Sequence, residues 1–379
     1  MLFAERHRTR QEPLKRGEQL FDFYDSCGCD GYDQLRGLLN EWMSGIPEEH
    51  RKELISRMQH GGNEAFGAAL CELIVAIFLK KSGHKLVFHP DVPSSSNHPD
   101  FAVVDEAGKT VCYIEVTTVN RAAERAKEQN REAVIYNAID GAKLPEGCLL
   151  GYNLVRADSV SPGTKPLVAS IEQWAKENEE QARTGEVARQ FAAGEWIIEI
   201  DLYAGGDPGP RGHAIGVASL GGGMIHPHKD IRAALVKKSR RYGKLDAPYL
   251  VVVGDGKEQL FSAETVRSAL TEAVFGDERA AIVSGKLRLE YAKNGFWNGS
   301  NGPQNQHVSG VLLLPKNTVW ELREEKWHPL LAVNPWATLA LPAELKTLPR
   351  LEPENWRWSR KAGANFADVL GVPNPWPPE

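Results

Sequence analysis

Between residues 61 and 260 the chain alternates between two hydrophobic periodicities, and this alternation limits its fold more than any other feature. Runs with apolar residues every three or four positions indicate helices, and shorter runs rich in β-branched residues indicate strands. The helices are predicted at 63–81, 121–139, 167–183 and 230–242, and the strands near 85–89, 100–104, 111–118, 148–155, 196–203 and 249–253. Because helices and strands follow one another along the chain, the sequence predicts an α/β domain whose helices cover a sheet.

The flanking segments differ from this central part in composition. Residues 1–60 carry apolar residues at helical spacing and predict a helical N-terminal segment. Beyond residue 296 lie seven of the ten tryptophans and 11 of the 23 prolines. Because tryptophan is costly to expose, we expect a Pro/Trp-rich C-terminal region, 261–379, that packs as an accessory on a central domain at 61–260. Within that region the sequence predicts a helix at Ala263–Phe275 and β-hairpins at 285–292 and 307–314.

The charge balance limits the partners that the whole molecule can attract. The 379 residues include 45 Lys and Arg against 50 Asp and Glu, which gives a net charge of −5. Such a chain is not a polycationic nucleic-acid coat, so any polyanion must meet a local basic patch or a metal ion. The hydrophobic fraction of 42% is ordinary for a soluble globular protein.

Cysteine usage and apolar runs indicate the compartment. The five cysteines include no pair with CxxC spacing, so we expect free thiols in a reducing environment. The N-terminal residues lack the apolar run of a secretory signal peptide. The longest apolar stretch, Ala65–Leu79, spans 15 residues around Glu72, fewer than the roughly 20 that cross a bilayer. We therefore expect a cytoplasmic protein that does not bind a membrane.

Glu72 is the only charged residue within that apolar stretch. It falls on a stripe of alanines, at positions 65, 69 and 76, along which the helix can approach a neighbouring element closely. A carboxylate in such a place is costly unless it is paired or binds a cation. Two interpretations remain open: Glu72 is neutralised by an arginine or by backbone amides, or it belongs to a functional site.

The segment that follows is predicted to form a β-hairpin. Two β-rich runs, 99–104 and 110–117, are joined by a DEAGK sequence of turn-forming residues. A turn centred on the Ala-Gly pair places residues opposite each other when their numbers add up to 215, so Asp100 faces Glu115. Opposed carboxylates on one face repel each other unless a cation lies between them, and a hard divalent ion is the simplest such cation.

Three acidic positions thus occur in a particular order, in the segments Glu72, Pro99-Asp100 and Glu115-Val116-Thr117. This order resembles the PD-(D/E)xK nuclease superfamily, whose fold is the restriction-endonuclease-like fold, and the resemblance covers residues 61–160. It implies a mixed sheet flanked by helices, Mg²⁺ (or Mn²⁺) bound by Asp100, Glu115 and the Val116 carbonyl, and phosphodiester hydrolysis by a metal-activated water. Glu72 would act through the metal or its water ligands.

The sequence departs from the family pattern at Thr117. The family usually has a lysine there, which steadies the charge that develops on the phosphate, and a threonine hydroxyl carries no positive charge. Lys127 on the following helix is predicted to replace it, with Gln129 and Arg131 as neighbours that could contact a phosphate. The alternative is that these three residues belong to a solvated helix face.

A second basic cluster lies at the end of the helix predicted at 230–242, and its members are Lys237, Lys238, Arg240 and Arg241. These side chains are predicted to contact nucleic-acid phosphates, since they supply the positive field that the net charge lacks. The alternative is a solvated helix end at which cations complement the C-terminal helix dipole.

The sequence therefore predicts an α/β protein with a restriction-endonuclease-like core that acts as a Mg²⁺-dependent nuclease in restriction, defence or repair. Its expected partner is nucleic acid, with DNA favoured over RNA, and a homo-oligomer is compatible with the sequence. The alternative function is a nuclease-like domain without catalytic activity, which binds nucleic acid or assembles proteins. Thr117 favours this alternative, whereas three converging carboxylates favour the enzyme.

Overall fold

The computed structural model describes the chain except for residues 94, 120–122, 161–162, 186, 206–212, 220–225, 256–262, 284–285, 315–318, 325–328, 355–356 and 377–379. Over the described residues the protein is α/β, with a large mixed sheet. The chain divides into two compact units. Unit 1 comprises Met1–His7, Cys29–Asn120 and Ile225–Glu379, and unit 2 comprises Arg8–Gly28 and Arg121–Met224.

The described residues form ten α-helices and sixteen strands. The helices are α1 (Leu20–Ser26), α2 (Asp30–Ser44), α3 (Glu48–His60), α4 (Gly62–Lys81), α5 (Ala123–Asp140), α6 (Thr164–Glu177), α7 (Glu179–Ala182), α8 (Pro227–Ser239), α9 (Ala263–Phe275) and α10 (Phe366–Leu370). The strands are β1 (Lys85–Phe88), β2 (Phe101–Val104), β3 (Thr110–Val119), β4 (Cys148–Arg156), β5 (Val187–Ala193), β6 (Trp196–Ala204), β7 (Ile215–Ser219), β8 (Tyr249–Asp255), β9 (Glu278–Val283), β10 (Lys286–Tyr291), β11 (Asn298–Gly299), β12 (Gly302–Pro303), β13 (Gly310–Leu314), β14 (Leu330–Val333), β15 (Arg350–Glu354) and β16 (Arg357–Lys361).

Unit 1 is built on an eight-stranded sheet in the order β1-β2-β3-β8-β13-β14-β15-β16. Strands β1, β2 and β3 pair antiparallel, whereas β3 pairs parallel with β8 and β8 pairs parallel with β13. Both β8 and β13 are buried along their whole length. Continuous apolar strands of this kind are typical of a sheet that is covered on both faces.

Helices lie on both faces of this sheet near its centre. On one face α8 and α9 pack over the apolar side chains of β8 and β13, in a core that includes Leu235, Val251 and Leu313. Side chains alternate along a strand, so Gly254 belongs to the opposite face. There it lies against Cys71 of α4. The centre of the sheet is therefore enclosed between α4 and the pair α8 and α9.

Unit 2 has a smaller sheet of its own, with the order β5-β6-β4-β7. Strand β6 pairs antiparallel with β5 and β4, and β4 pairs parallel with β7. Helices α5 and α6 supply Ile135 and Ile171 to a core shared with Trp196 and Ile198 of β6. The unit thus has its own hydrophobic core.

The two units differ from the predicted division at 1–60, 61–260 and 261–379. Residues beyond 260 contribute β13 to β16, four of the eight strands of the large sheet, and are not an accessory to a finished core. The sequence predicts a β-hairpin at 307–314, but β13 lies between β8 and β14, since its apolar residues need cover on both faces. The expected ordered packing of C-terminal tryptophans is confirmed at Trp297, which is fully buried.

Helix α4 is long and apolar enough to cross a membrane by length and composition, yet 67% of its most apolar window is buried inside the protein. It has 20 residues, because the helix extends beyond both ends of the apolar run read from the sequence. A buried core helix meets the same criteria. In unit 1 this helix contributes one wall of the site described next.

Candidate active site

The hairpin of β2 and β3 positions two of the three predicted carboxylates. Phe101 pairs with Ile114, and the next two pairs keep the predicted sum of 215, whereas a β-bulge next to the turn pairs Val104 with Thr110. Continuing this register by one position places Asp100 opposite Glu115. The turn is fixed by Asp105, whose Oδ1 accepts hydrogen bonds from two backbone N–H groups of the turn, and by Gly108 at a φ of +81°.

Glu115 is fully buried and is held by three side chains from one segment of the chain. Lys238 Nζ donates to Glu115 Oε1, and Arg241 Nη1 lies 3.2 Å from the same oxygen. The Tyr242 hydroxyl donates to Glu115 Oε2. Burial and the adjacent Glu115 carboxylate raise the pKa of Tyr242, so its hydroxyl keeps the proton that it donates. The carboxylate is therefore neutralised from outside its own hairpin.

Asp100 is the carboxyl most strongly affected by its surroundings. Burial, followed by the charges of Glu115 and Glu72, raises its pKa well above the usual range. The backbone N–H of Val116 donates to Asp100 Oδ2 at 2.6 Å, which acts in the opposite direction and orients the carboxyl group. The three predicted carboxylates therefore interact electrostatically, as the sequence predicts.

Glu72 approaches this pair from α4, and the arginine interpretation of its surroundings is confirmed. Arg57 Nη2 of α3 donates to Glu72 Oε1 at 2.5 Å. Burial raises the pKa of Glu72, and Arg57 opposes that rise. Glu72 therefore forms an ion pair with Arg57 and also raises the pKa of Asp100.

The sequence of α8 explains why Lys238 lies next to Glu115. Pro227 occupies the first turn, where its fixed φ favours helix initiation. Ile231 and Leu235, one turn apart, are fully buried in the core over the sheet. Lys238 follows Leu235 by three positions, so it lies on the same side of the helix and reaches the sheet.

The donor set suits a hard divalent cation. Mg²⁺ is usually held by one or two carboxylates, and water and substrate phosphates complete its shell. Asp100 and Glu115 would provide the two carboxylates, with the Val116 carbonyl as the third predicted ligand, and a cation would relieve the repulsion that raises the pKa of Asp100. The carboxylates do not form a set of three ligand atoms within 4.8 Å, at least among the residues described.

The predicted site residues outside the carboxylates and the basic cluster lie on β3 and α5. Thr117 is half-buried on β3, which pairs with β8, and its hydroxyl brings no charge to the site. Lys127, Gln129 and Arg131 belong to α5 in unit 2, and the side chains of the first two lie outside the described part of the chain.

Within the basic cluster the four predicted phosphate contacts divide into two pairs. Lys237 and Arg240 are exposed, whereas Lys238 and Arg241 contact Glu115. Lys238 and Arg241 therefore share their charge with Glu115, and 43% of the Arg241 side chain stays exposed. The phosphate contacts of all four residues stay a prediction.

Sequence reasoning missed Arg57 and Tyr242. Arg57 carried a weak signal, because it lies three residues before the end of a charged helix and nothing in that helix distinguishes it from its neighbours. Tyr242 follows the basic cluster directly, and an aromatic residue after four cations was the only sign that this segment turns inward.

No protein-family model, curated protein or solved structure matches this chain.

Proposed function

We propose that this protein is a metal-dependent nuclease with a restriction-endonuclease-like core, which hydrolyses phosphodiester bonds of nucleic acid. One observation carries the proposal: the buried Glu115 lies beside Asp100 and Glu72, and cations from α3 and α8 surround the three carboxylates. Perturbed carboxyl groups that lie close together are more typical of functional sites than of structural ones.

Lys238 supplies what Thr117 cannot. A metal-dependent nuclease needs a positive charge near the phosphate and the attacking water, in addition to its metal ion. Lys238 reaches the motif glutamate through space, from α8, although it is far away in sequence. We therefore assign to Lys238 the role that the sequence assigns to Lys127.

The remaining residues have supporting roles. Bound Mg²⁺ would act as a Lewis acid and lower the pKa of its bound water, and Asp100, Glu115 and the Val116 carbonyl would hold it. The Val116 N–H orients the Asp100 carboxyl, and Arg57 orients Glu72. Tyr242 donates a hydrogen bond to Glu115 Oε2 and so holds the carboxylate in one orientation.

A second function also has one observation in its favour. Both oxygens of Glu115 already have protein partners, so this carboxylate is neutralised without a metal ion. A domain that had lost its chemistry would need such internal neutralisation. In that case the protein binds nucleic acid or assembles with other proteins without cleaving its ligand.

Cleavage assays on single- and double-stranded DNA and RNA, with Mg²⁺ or Mn²⁺, test the proposal. We expect cleavage by the wild type and loss of cleavage in Asp100→Asn, with Mg²⁺ binding, measured by calorimetry, lost in the same variant. Lys238→Met should lower the rate about 10²-fold or more, the scale observed when one electrostatic stabiliser is removed. Lys293→Met changes an exposed lysine of unit 1 outside the basic cluster, and this matched control should cleave at the wild-type rate.

Other outcomes would redirect or reject the assignment. If Lys127→Met loses the activity and Lys238→Met keeps it, the nuclease stands but the lysine of α5 is the functional one. If the wild type binds a nucleic acid and cleaves none, the inactive binding module replaces the enzyme. Thermal unfolding of each variant shows whether a lost activity reflects a lost fold.

A further inference from the structure

A second cluster of metal-ligating side chains lies in unit 1, apart from the three carboxylates. His50 and Glu53, three residues apart on α3, meet His89, which follows β1. One ligand atom from each of the three lies within 4.8 Å of the other two. His89 Nδ1 is 3.9 Å from Glu53 Oε2. Among the described residues, these three side chains form the only group of His, Cys, Asp or Glu in which three ligand atoms lie close enough together to share a metal ion.

The local backbone holds this arrangement in place. His89 adopts a φ of +45°, in the left-handed region that non-glycine residues rarely occupy. Its N–H donates to the Asp100 carbonyl oxygen at 3.1 Å, which ties it to the head of β2. The His50 ring stacks on Phe88 at 4.8 Å and meets His89 edge-on at 5.0 Å. Both imidazoles are therefore positioned by neighbours rather than free to turn.

The chemistry of the donors selects the metal. Two imidazoles and one carboxylate suit Zn²⁺ and the neighbouring transition metals, whereas Mg²⁺ prefers oxygen donors alone. Zn²⁺ takes four ligands, so water or an external donor would be the fourth. Glu49 Oε1 lies 3.2 Å from His50 Nε2 and can hold that imidazole in one orientation, as carboxylates commonly do beside metal-bound histidines.

We propose that His50, Glu53 and His89 form a binding site for a divalent transition metal ion of the Zn²⁺ class. The site is distinct in its donors from the carboxylates of Asp100 and Glu115, and it does not depend on the proposed hydrolysis.

The site adjoins those carboxylates through one residue. Arg57 Nη1 lies 3.6 Å from Glu53 Oε1, and Arg57 Nη2 holds Glu72 at 2.5 Å. His89 faces Glu53 Oε2 and Arg57 faces Glu53 Oε1, so a metal ion bound through Oε2 would share this carboxylate with Arg57.

Co²⁺ is the probe for the test, because its visible absorption reports ligation by imidazole and carboxylate independently of any cleavage. The full chain is titrated with Co²⁺, and Zn²⁺ is then added to displace it. We expect saturable absorption in the wild type and at least about 10-fold weaker binding in His50→Gln and Glu53→Gln, by comparison with the 10–100-fold effects of removing outer-shell partners. His89→Asn should behave likewise, since asparagine tolerates the left-handed conformation.

Two matched controls make the result specific. His60→Gln changes an exposed histidine on the same helix, and Asp100→Asn changes the neighbouring carboxylate site. His60→Gln should bind Co²⁺ as the wild type does, and Asp100→Asn should keep the absorption that His50→Gln and Glu53→Gln lose. Circular dichroism of the metal-free variants establishes that each one folds, and the isosteric Glu53→Gln is the variant least able to disturb folding.

The proposal is overturned if the wild type gives no saturable absorption, or if His50→Gln and His89→Asn bind as tightly as the wild type. Loss of binding in Asp100→Asn with retention in His50→Gln also overturns it, since the ion then occupies the carboxylates. Failure of the nuclease assay leaves these readouts unaffected.

Discussion

Asp100 combines burial with two like charges, and its protonation therefore affects the stability of unit 1. The native state binds the Asp100 proton more tightly than the unfolded chain does, because burial, Glu115 and Glu72 raise its pKa. Stability from this group is complete below the unfolded pKa, near 3.9, and declines as the pH rises through the native pKa. At neutral pH, where an aspartate of the unfolded chain is ionised, this group therefore destabilises the fold in the absence of metal.

We predict that Asp100→Asn raises the free energy of unfolding at pH 7, and that the gain disappears near pH 4. The amide oxygen can still accept the Val116 N–H, so only the charge is removed. Urea unfolding followed across this pH range measures the effect. Asp91→Asn is the control, because the fully exposed Asp91 side chain should change stability by less than about 0.5 kcal/mol. The prediction is contradicted if the free energy of unfolding depends on pH in the same way in Asp100→Asn and in the wild type.

The residues that could be predicted from sequence are those set by local geometry. The DEAGK turn indicates the hairpin, and the pairs from Phe101 to Val103 have the predicted sum of 215, which places Asp100 opposite Glu115. Next to the turn Val104 pairs with Thr110, so a β-bulge that the sequence does not reveal contributes to this register. The contact of Lys238 with Glu115 joins residues 123 positions apart. A basic helix end suits solvent, phosphate or a buried carboxylate equally well, so no local pattern could assign it.

At the scale of elements, the packing of α4 on the sheet depends on the absence of a side chain at one position. Gly254 of β8 pairs with β3 on one side and β13 on the other. A Cβ atom at Gly254 would lie 2.7 Å from Cys71 Sγ of α4, closer than real Cβ contacts come. The helix approaches the strand this closely only because residue 254 is a glycine.

We predict that Gly254→Ala lowers the free energy of unfolding by about 1–3 kcal/mol, the usual cost of overpacking a core. Adding Cys71→Ala removes the sulfur and should restore part of that loss, so the two substitutions should be non-additive by about 0.5 kcal/mol or more. Gly37→Ala is the control, since no atom lies within 4 Å of a Cβ there. If the two changes in the free energy of unfolding are additive, helix α4 has moved to make room for the new methyl group instead.

The elements themselves were predictable where their periodicity is strong. The helix at Ala263–Phe275 has the predicted bounds, and α4, β3 and β8 lie within a few residues of theirs. Strand β5 was missed because only Val187 and Phe191 among its seven residues are buried, which leaves little apolar pattern. The place of β13 could not be predicted, because parallel pairing with β8 joins strands that are distant in sequence.

At the scale of the whole molecule, a net charge of −5 leaves nucleic-acid binding to local surfaces. Lys237, Arg240 and Lys244 are exposed around the end of α8, next to the residues that hold Glu115. Exposed cations of this kind can contact phosphates, and each phosphate contact on duplex DNA contributes about 0.9 to the slope of log K against log salt.

We predict that replacing Lys237, Arg240 and Lys244 together by glutamine weakens nucleic-acid binding and lowers this slope by about 2–3. Fluorescence anisotropy at several salt concentrations measures the slope. The control replaces three exposed lysines of unit 2, which are Lys143, Lys165 and Lys176. An unchanged slope in the first variant would show that these residues do not contact phosphates. They would then form the solvated helix end that the sequence also allows.

The separation of Glu115 from Lys238 has a consequence during protein synthesis. The two residues are 123 positions apart, and Arg241 and Tyr242 follow later still. At translation rates of roughly 5–20 residues per second, the ribosome completes the hairpin of β2 and β3 roughly 6–25 s before Lys238 is made. The nascent hairpin cannot bury Glu115 during that interval, because its counter-charges do not yet exist. Strand β3 likewise lacks its parallel partner until β8 is made.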